Sequence, residues 1–155
     1  MVKTAPQISP AVSMNEDRPV APARILLAED ADEMRAVLAL RLRQQGYQVT
    51  ECCDGAQLIA ALSGYLGNET EMPEKQRFDL LISDIRMPGV FGLSVVEGGT
   101  EYRDFPPTIL ITAFGDAETH AKAQQFGVAA VIDKPFDMNV LLGKVRDTLS
   151  QASSK

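Results

Sequence analysis

The chain has 155 residues, enough for one domain, and its 45% hydrophobic and 23% charged content is ordinary for a globular protein. Its formal net charge of −6 argues against a broad nucleic-acid surface, because such a surface needs clustered lysine and arginine. No apolar run reaches the roughly 18 residues of a membrane span, and the N-terminus lacks a signal-peptide core. We therefore expect a cytoplasmic protein with no membrane insertion and no direct nucleic-acid binding.

The N-terminal segment, residues 1–23, carries four of the nine prolines and has no hydrophobic period, which predicts a disordered tail. The folded domain is predicted over residues 24–150, with a short C-terminal tail over 151–155. Within the domain, continuously apolar runs such as ILLA and TILIT are typical of parallel strands covered on both faces. The predicted strands are Arg24–Ala28, Gln48–Cys52, Phe78–Ser83, Thr108–Thr112 and Ala129–Ile132.

Helical patterns fill the intervals between these strands. Apolar residues recur at helical spacing in Ala31–Gln45, which ends before Gly46, a residue type favoured just after helices. Aspartate is a good helix-capping residue, so three further helices are predicted to start at Asp54, Asp116 and Asp137. The pattern as a whole predicts an α/β fold.

Two segments depart from this alternation. Ser63–Arg77 is longer than the usual connection and carries several acids, which predicts a solvated insertion. Phe91–Phe105 should hold a helix, but Gly98 and Gly99 lie in its middle and each costs about 1 kcal/mol relative to alanine. A short or broken helix is therefore expected there.

The two cysteines, Cys52 and Cys53, are adjacent at the end of a predicted strand. Neighbouring residues of a strand point to opposite faces, so a bond between the two sulfurs is not expected. Reduced thiols, as in most cytosolic proteins, are the prediction.

Charged and hydroxyl residues close four of the apolar strands. They are Glu29, Asp30, Asp84, Thr112 and Lys134. In an open α/β sheet, ligands bind outside the carboxyl ends of the strands, so these side chains are expected to converge. Each alone has a simpler explanation, a helix cap or a surface charge, but all four sites at successive strand ends indicate one pocket. Three like charges at close range resist ionisation unless a cation is present, which predicts Mg²⁺.

This set of groups suits phosphoryl chemistry. A carboxylate can act as a nucleophile toward phosphorus, and the phosphoryl oxygens then need positive charge and hydrogen bonds. Asp84 is the central carboxylate, while Lys134 and Thr112 can meet the oxygens. The turn at Pro88–Gly89 can direct the Arg86 carbonyl toward the metal. His120, inside a predicted helix, is interpreted as a surface residue.

The motifs ILLAED, LLISDIRMPG, ILITAFGD and DKPF, within residues 24–150, resemble the receiver domain of bacterial two-component response regulators. The resemblance implies a flavodoxin-like, doubly wound α/β fold with a five-stranded parallel sheet in the order 2-1-3-4-5 and five helices. It also implies that Asp84 accepts a phosphoryl group from a sensor histidine kinase or a histidine phosphotransfer protein.

The same resemblance implies the metal and phosphoryl ligands. Asp30 and the Arg86 carbonyl would bind Mg²⁺ directly, alongside Asp84, and Glu29 would act through water. Thr112 and Lys134 would bind the phosphoryl group. The bond between Lys134 and Pro135 is expected to be cis.

Two positions near the pocket bear on switching. Receivers of this family usually carry an aromatic residue at the position of Val131, so aromatic gating is not expected here. Either a shift of Thr112 alone carries the signal, or another side chain substitutes. Phe114 is expected to hinder the attacking water and to lengthen the phosphorylated lifetime.

The predicted function is a signalling switch, not an enzyme, with slow self-dephosphorylation. Only residues 151–155 follow the last helix, so a stand-alone receiver that binds an unknown downstream protein or passes phosphate on is expected, as a monomer or weak homodimer. The alternatives are a phosphorylation-independent interaction module and a receiver fragment of a longer transcriptional regulator. Arg86, at the position of a second catalytic aspartate, argues against a phosphohydrolase, and the acidic EDADE segment argues against a flavin-binding loop.

Overall fold

The computed structural model describes residues 21–66, 77–102, 104–113 and 115–153. Its centre is a parallel sheet of five strands in the order β2-β1-β3-β6-β7. The strands are β1 (Arg24–Ala28), β2 (Gln48–Cys52), β3 (Leu80–Asp84), β6 (Thr108–Thr112) and β7 (Ala130–Asp133). Strands β4 (Arg86–Met87) and β5 (Val90–Phe91) form a separate antiparallel hairpin. Counting the five parallel strands alone, the order is 2-1-3-4-5, which confirms the predicted flavodoxin-like topology.

Five helices connect the strands, as predicted. They are α1 (Asp32–Gln44), α2 (Gly55–Leu66), α3 (Gly92–Gly99), α4 (Ala117–Gln125) and α5 (Met138–Ser153). The predicted cap of α4 is confirmed, because the Asp116 side chain accepts a hydrogen bond of 2.8 Å from the Thr119 N–H. The Asp54 and Asp137 side chains accept similar bonds at the starts of α2 and α5.

The core consists of two layers, one on each face of the sheet. Alternate residues of a strand point to opposite faces, so Ile25 and Leu27 face one layer while Leu26 faces the other. Helices α1 and α5 cover the first face, and α2, α3 and α4 cover the second. Strands β3 and β6 are buried along their whole length, which explains their continuously apolar sequences.

Several predicted boundaries were wrong. Residues 63–66, assigned to the connector, are the last turn of α2, because its apolar helical pattern continues past Ser63. Residues 67–76 of that insertion lie outside the described residues, and its last residue, Arg77, is described. Helix α5 continues to Ser153 and so includes most of the segment assigned to a C-terminal tail. The tail predicted for residues 1–23 is described only from Ala21 onward.

Helix α3 is short, with eight residues, as predicted, but the glycine pair lies at its end and not in its middle. A side chain at Gly99 would come within 2.7 Å of the Phe105 ring, so this close approach requires glycine. The hairpin β4–β5 was predicted only as a turn at Pro88–Gly89, where Gly89 has a φ of +87°.

Two strands are shifted from their predicted bounds by one or two residues. Strand β3 includes Asp84, which pairs with Ile111 of β6, and β7 includes Asp133, which pairs with Thr112. Among the described residues, no helix combines the length and apolar character needed to cross a membrane. Both cysteines are free, as predicted.

Candidate functional site

The carboxyl ends of the central strands bring the predicted pocket residues together. Ala28, which precedes Glu29, pairs with Ser83, which precedes Asp84. The backbone N–H of Lys134 donates a hydrogen bond of 2.7 Å to the Thr112 carbonyl. The register of the sheet therefore places these residues on one rim, as expected for parallel strands.

Lys134 joins two buried carboxylates in this pocket. Its Nζ lies 2.8 Å from Asp84 Oδ2 and 3.3 Å from each carboxylate oxygen of Glu29. Glu29 is 1% exposed and Asp84 is 7% exposed. Burying such charges is costly unless they are paired, so the ammonium compensates part of the negative charge.

Asp30 completes a cluster of three carboxylates. One oxygen from each of Glu29, Asp30 and Asp84 lies within 4.8 Å of the other two. Burial raises the pKa of Glu29, and repulsion from Asp84 raises it further, whereas Lys134 partly offsets both effects. The cluster thus holds more negative charge than one lysine neutralises, and its oxygen ligands fit a hard divalent cation such as Mg²⁺.

The charge state of Lys134 is set by the same neighbours. Burial by itself lowers the pKa of its ammonium group, but the hydrogen bond and attraction to Asp84, together with the attraction to Glu29, outweigh burial. The pKa of Lys134 is therefore raised above its ordinary value. Lys134 therefore remains a cation at neutral pH, as binding of an anionic group requires.

Backbone contacts fix Asp84. The Arg86 N–H donates to Asp84 Oδ1 at 3.0 Å, and the N–H of Ile85 donates to the Ile111 carbonyl at 2.9 Å. On the other side Gly92 packs so closely that a Cβ there would lie 2.7 Å from the Asp84 carbonyl oxygen. Asp84 is held at the junction of β3, the β4–β5 hairpin and α3.

Thr112 is also where the sequence placed it, at the end of β6 and only 2% exposed. Its role toward a phosphoryl group and the role of the Arg86 carbonyl toward a metal stay predictions. The expected cis bond between Lys134 and Pro135 is confirmed.

The structure describes Val131 but not Phe114, the two positions that were predicted to affect switching. Val131 is half-buried and packs beside a cluster that contains Ile85 and Leu110. Phe114 lies outside the described residues, so its predicted effect on hydrolysis stays a prediction. His120 is on the surface, as predicted, but its Nε2 lies 3.1 Å from Asp133 Oδ1, next to the pocket lysine.

Sequence reasoning missed two residues that shape the site. Gly92 was not distinguished from other glycines, because close backbone approach leaves no local pattern. Arg35 was placed on a helix only, yet its Nη1 donates to the Glu29 carbonyl at 2.9 Å. Its position one turn into the helix that follows the acidic pair was the available signal.

Fold and pocket define a doubly wound α/β protein with an acidic, lysine-bridged site at the carboxyl edge of its sheet. A sequence model described as the response regulator receiver domain matches residues 25–146. The chain belongs to the response regulator receiver domain family. Receivers of this family are signalling switches of two-component systems and not enzymes in the usual sense.

Curated relatives carry this domain within longer proteins. The chain is 30% identical over 132 residues to the transcriptional regulatory protein GlrR of Escherichia coli, a match that covers 85% of this chain and 27% of GlrR. It is 34% identical over 126 residues to the CAI-1 autoinducer sensor kinase/phosphatase CqsS of Vibrio cholerae, covering 79% and 17% respectively. The chain thus spans about a quarter of GlrR and a sixth of CqsS.

Solved structures support the fold. A CheY-like receiver domain protein from Methanospirillum hungatei superposes with a TM-score of 0.72 at 23% identity, covering 86% of this chain and 98% of that one. The non-phosphorylated HemR receiver domain from Leptospira biflexa gives a TM-score of 0.69 at 26% identity, covering 83% and 94%.

Proposed function

We propose that this protein is a phosphoryl-accepting switch of a two-component phosphorelay in which Asp84 is the acceptor. The observation that carries the proposal is the contact of 2.8 Å between Asp84 and Lys134 inside a buried cluster with Glu29. A buried, crowded carboxylate next to an ammonium group is suited to become a neutralised acyl phosphate whose new charge lies on the phosphoryl oxygens.

The proposed donor is a phosphohistidine of a sensor histidine kinase or a phosphotransfer protein. An Asp84 carboxylate oxygen forms the new bond to phosphorus as the bond between phosphorus and the donor nitrogen breaks, and that electron pair stays on the leaving imidazole. Lys134 would then hold one phosphoryl oxygen, and the Thr112 hydroxyl would donate to another. Charge stabilisation and positioning provide most of the catalysis in such transfers.

Glu29, Asp30, Asp84 and the Arg86 carbonyl are proposed to hold Mg²⁺. When bound, this ion would supply positive charge to the phosphoryl group and offset repulsion among the carboxylates. Burial and then repulsion from Asp84 raise the pKa of Glu29, and a bound cation would offset both effects.

The output is proposed to be binding of a downstream protein or onward transfer of phosphate, by a monomer or weak homodimer in the cytoplasm. Residues 24–150 would form the receiver unit, with the self-phosphorylation and slow self-dephosphorylation typical of a switch. Membership of the receiver family supports this assignment.

Intact mass after treatment with acetyl phosphate tests the acceptor. A phosphate-sized gain is expected for the wild type with Mg²⁺, no gain with a chelator, and no gain for Asp84→Ala. Asp133→Asn is the matched control, because Asp133 is an exposed carboxylate on the same rim. A gain that persists in Asp84→Ala would contradict the assignment. A wild type that neither acetyl phosphate nor a phosphorylated donor protein modifies would favour a phosphorylation-independent interaction module.

A further inference from the structure

Arg35 makes three contacts around the acidic pair. It lies on α1 and is 17% exposed. Its Nη1 donates to the Glu29 carbonyl at 2.9 Å, and its Nη2 donates to Asp32 Oδ1 at 2.7 Å. Its Nε lies 3.5 Å from Glu51 Oε1 on β2. One guanidinium therefore links the end of β1, the first turn of α1 and the neighbouring strand.

These contacts restrain the peptide that joins Glu29 to Asp30. The Glu29 N–H donates to the Cys52 carbonyl at 3.1 Å, so β2 fixes one side of this residue. On the other side, the Arg35 guanidinium donates to the Glu29 carbonyl and so restrains the same peptide. Within the residues that the structure describes, the Asp30 carboxylate has no hydrogen-bond or ion-pair partner. Its position relative to Glu29 and Asp84 therefore depends on the backbone that Arg35 holds.

We propose that Arg35 is a positioning residue for the cation site, which directs Asp30 toward Glu29 and Asp84 by clamping the Glu29 carbonyl. Glu51 in turn orients Arg35. Glu51 is itself held by Arg43, whose Nη2 lies 3.1 Å from Glu51 Oε2. This inference rests on the proposed binding of Mg²⁺ and adds a residue to that site.

The guanidinium geometry explains why arginine is needed. Its planar fork presents several donors in fixed directions, so it can hold a carbonyl and two carboxylates at once. A lysine has the same charge but a single flexible head, so it can replace one contact and not all three.

Charge and positioning have opposite effects on Mg²⁺ affinity, which makes the inference testable. Removing a positive charge near a cation site strengthens cation binding by Coulomb's law. Removing a clamp that orders a ligand weakens it, by roughly tenfold or more for groups that orient metal ligands. A weaker Mg²⁺ affinity in Arg35→Met therefore cannot come from the change in charge.

The experiment is a calorimetric Mg²⁺ titration of the wild type, Arg35→Met, Arg35→Lys and Arg41→Met, at a temperature where urea unfolding shows each protein to be folded. We expect a Kd about tenfold higher for Arg35→Met and a smaller rise for Arg35→Lys. Arg41→Met, with the same charge change on the same helix, should stay within about twofold, because Arg41 contacts none of Glu29, Asp32 and Glu51 in the part of the chain that the structure describes. If Arg35→Met does not fold, Arg35→Lys carries the test alone and should still raise the Kd, because it keeps the positive charge but loses contacts of the guanidinium fork.

An unchanged or lower Kd in Arg35→Met, or in Arg35→Lys where that variant carries the test alone, would overturn the inference while leaving the cation site intact. An equal rise in Arg35→Met and Arg41→Met would also overturn it. A wild type that binds no Mg²⁺ would overturn the proposed cation site, and the role of Arg35 with it.

Discussion

The two ends of the parallel sheet use the same residue types in different ways. At the amino end, the backbone N–H of Arg24 donates to Asp79 Oδ2 at 2.7 Å, and Arg77 Nη2 lies 3.6 Å from Asp104 Oδ2. The Arg24 guanidinium also lies 5.1 Å from the centre of the Phe78 ring. Arg77 and Asp104 are half-exposed, and Asp79 is exposed.

At the carboxyl end, the Lys134 ammonium contacts Glu29 and Asp84, which are almost completely buried, and the Asp30 carboxylate lies beside them. Surface pairs contribute little to stability, whereas an unbalanced buried cluster is costly. Crowding and burial of like charge, and not the presence of ion pairs, therefore distinguish the carboxyl end of this sheet from its amino end.

The largest expected effect comes from removing Lys134, the cation that contacts both buried carboxylates at the carboxyl end. Lys134→Met leaves Glu29 and Asp84 buried without compensation, so the free energy of unfolding without Mg²⁺ should fall by about 3–5 kcal/mol. Mg²⁺ should restore part of this loss, because it stabilises the folded state that binds it. Urea unfolding followed by circular dichroism measures both values.

Arg77→Met is the matched control at the amino end. Arg77 and Asp104 form a half-exposed pair, so the change should stay within about 1 kcal/mol and should not respond to Mg²⁺. Equal losses for Lys134→Met and Arg77→Met would remove the distinction between the two ends.

A smaller effect is expected from the glycines of α3. A Cβ at Gly92 would meet the Asp84 carbonyl oxygen at 2.7 Å, whereas a Cβ at Gly98 meets nothing within 4 Å. Gly92→Ala should therefore cost about 1–3 kcal/mol and slow phosphorylation, because the acceptor strand must shift. Gly98→Ala should stabilise the protein by up to about 1 kcal/mol. Thermal unfolding together with the acetyl-phosphate rate would show whether Gly92 acts through Asp84; equal behaviour of the two variants would argue against it.

The smallest effect concerns Asp116, a carboxylate near the carboxyl end but outside the cluster. Hydrogen bonds from Thr119 hold its pKa below the ordinary value of 3.8. Because the pKa is lower in the folded protein, its contribution is present above the ordinary value and is lost as pH falls through the folded one. Asp116→Ser keeps a capping oxygen but does not titrate. Its free energy of unfolding should therefore change less between about pH 5 and about pH 2 than that of the wild type, as measured by urea unfolding at each pH. Identical acid profiles would contradict this.

The sequence predicted the fold well, because buried parallel strands such as β3 and β6 carry central apolar runs, LLI and ILI, and the helices between them carry apolar stripes. Boundaries were less certain. Asp84 belongs to β3 because it pairs with Ile111, and a local pattern contains no information about such distant partners. The hairpin β4–β5 was missed because two-residue strands leave almost no periodic signal.

The pocket was predictable to a similar extent. Strand-end positions identified Glu29, Asp30, Asp84, Thr112 and Lys134, because chain topology alone brings strand ends together. The bridging geometry of Lys134, and the clamp that Arg35 forms on a backbone carbonyl, depend on side-chain directions in the folded protein. No spacing rule specifies those directions.

The most direct test of the contrast between the two ends is a Mg²⁺ titration followed by the backbone amide signals in nuclear magnetic resonance spectra. We expect saturable shifts confined to the carboxyl end, at Glu29, Asp30, Asp84 and Arg86. Asp79 and Asp104, the acids of the amino end, should not shift. Shifts of equal size at both ends, or none at the carboxyl end, would contradict the claim that crowded, buried carboxylates form a cation-dependent acceptor site.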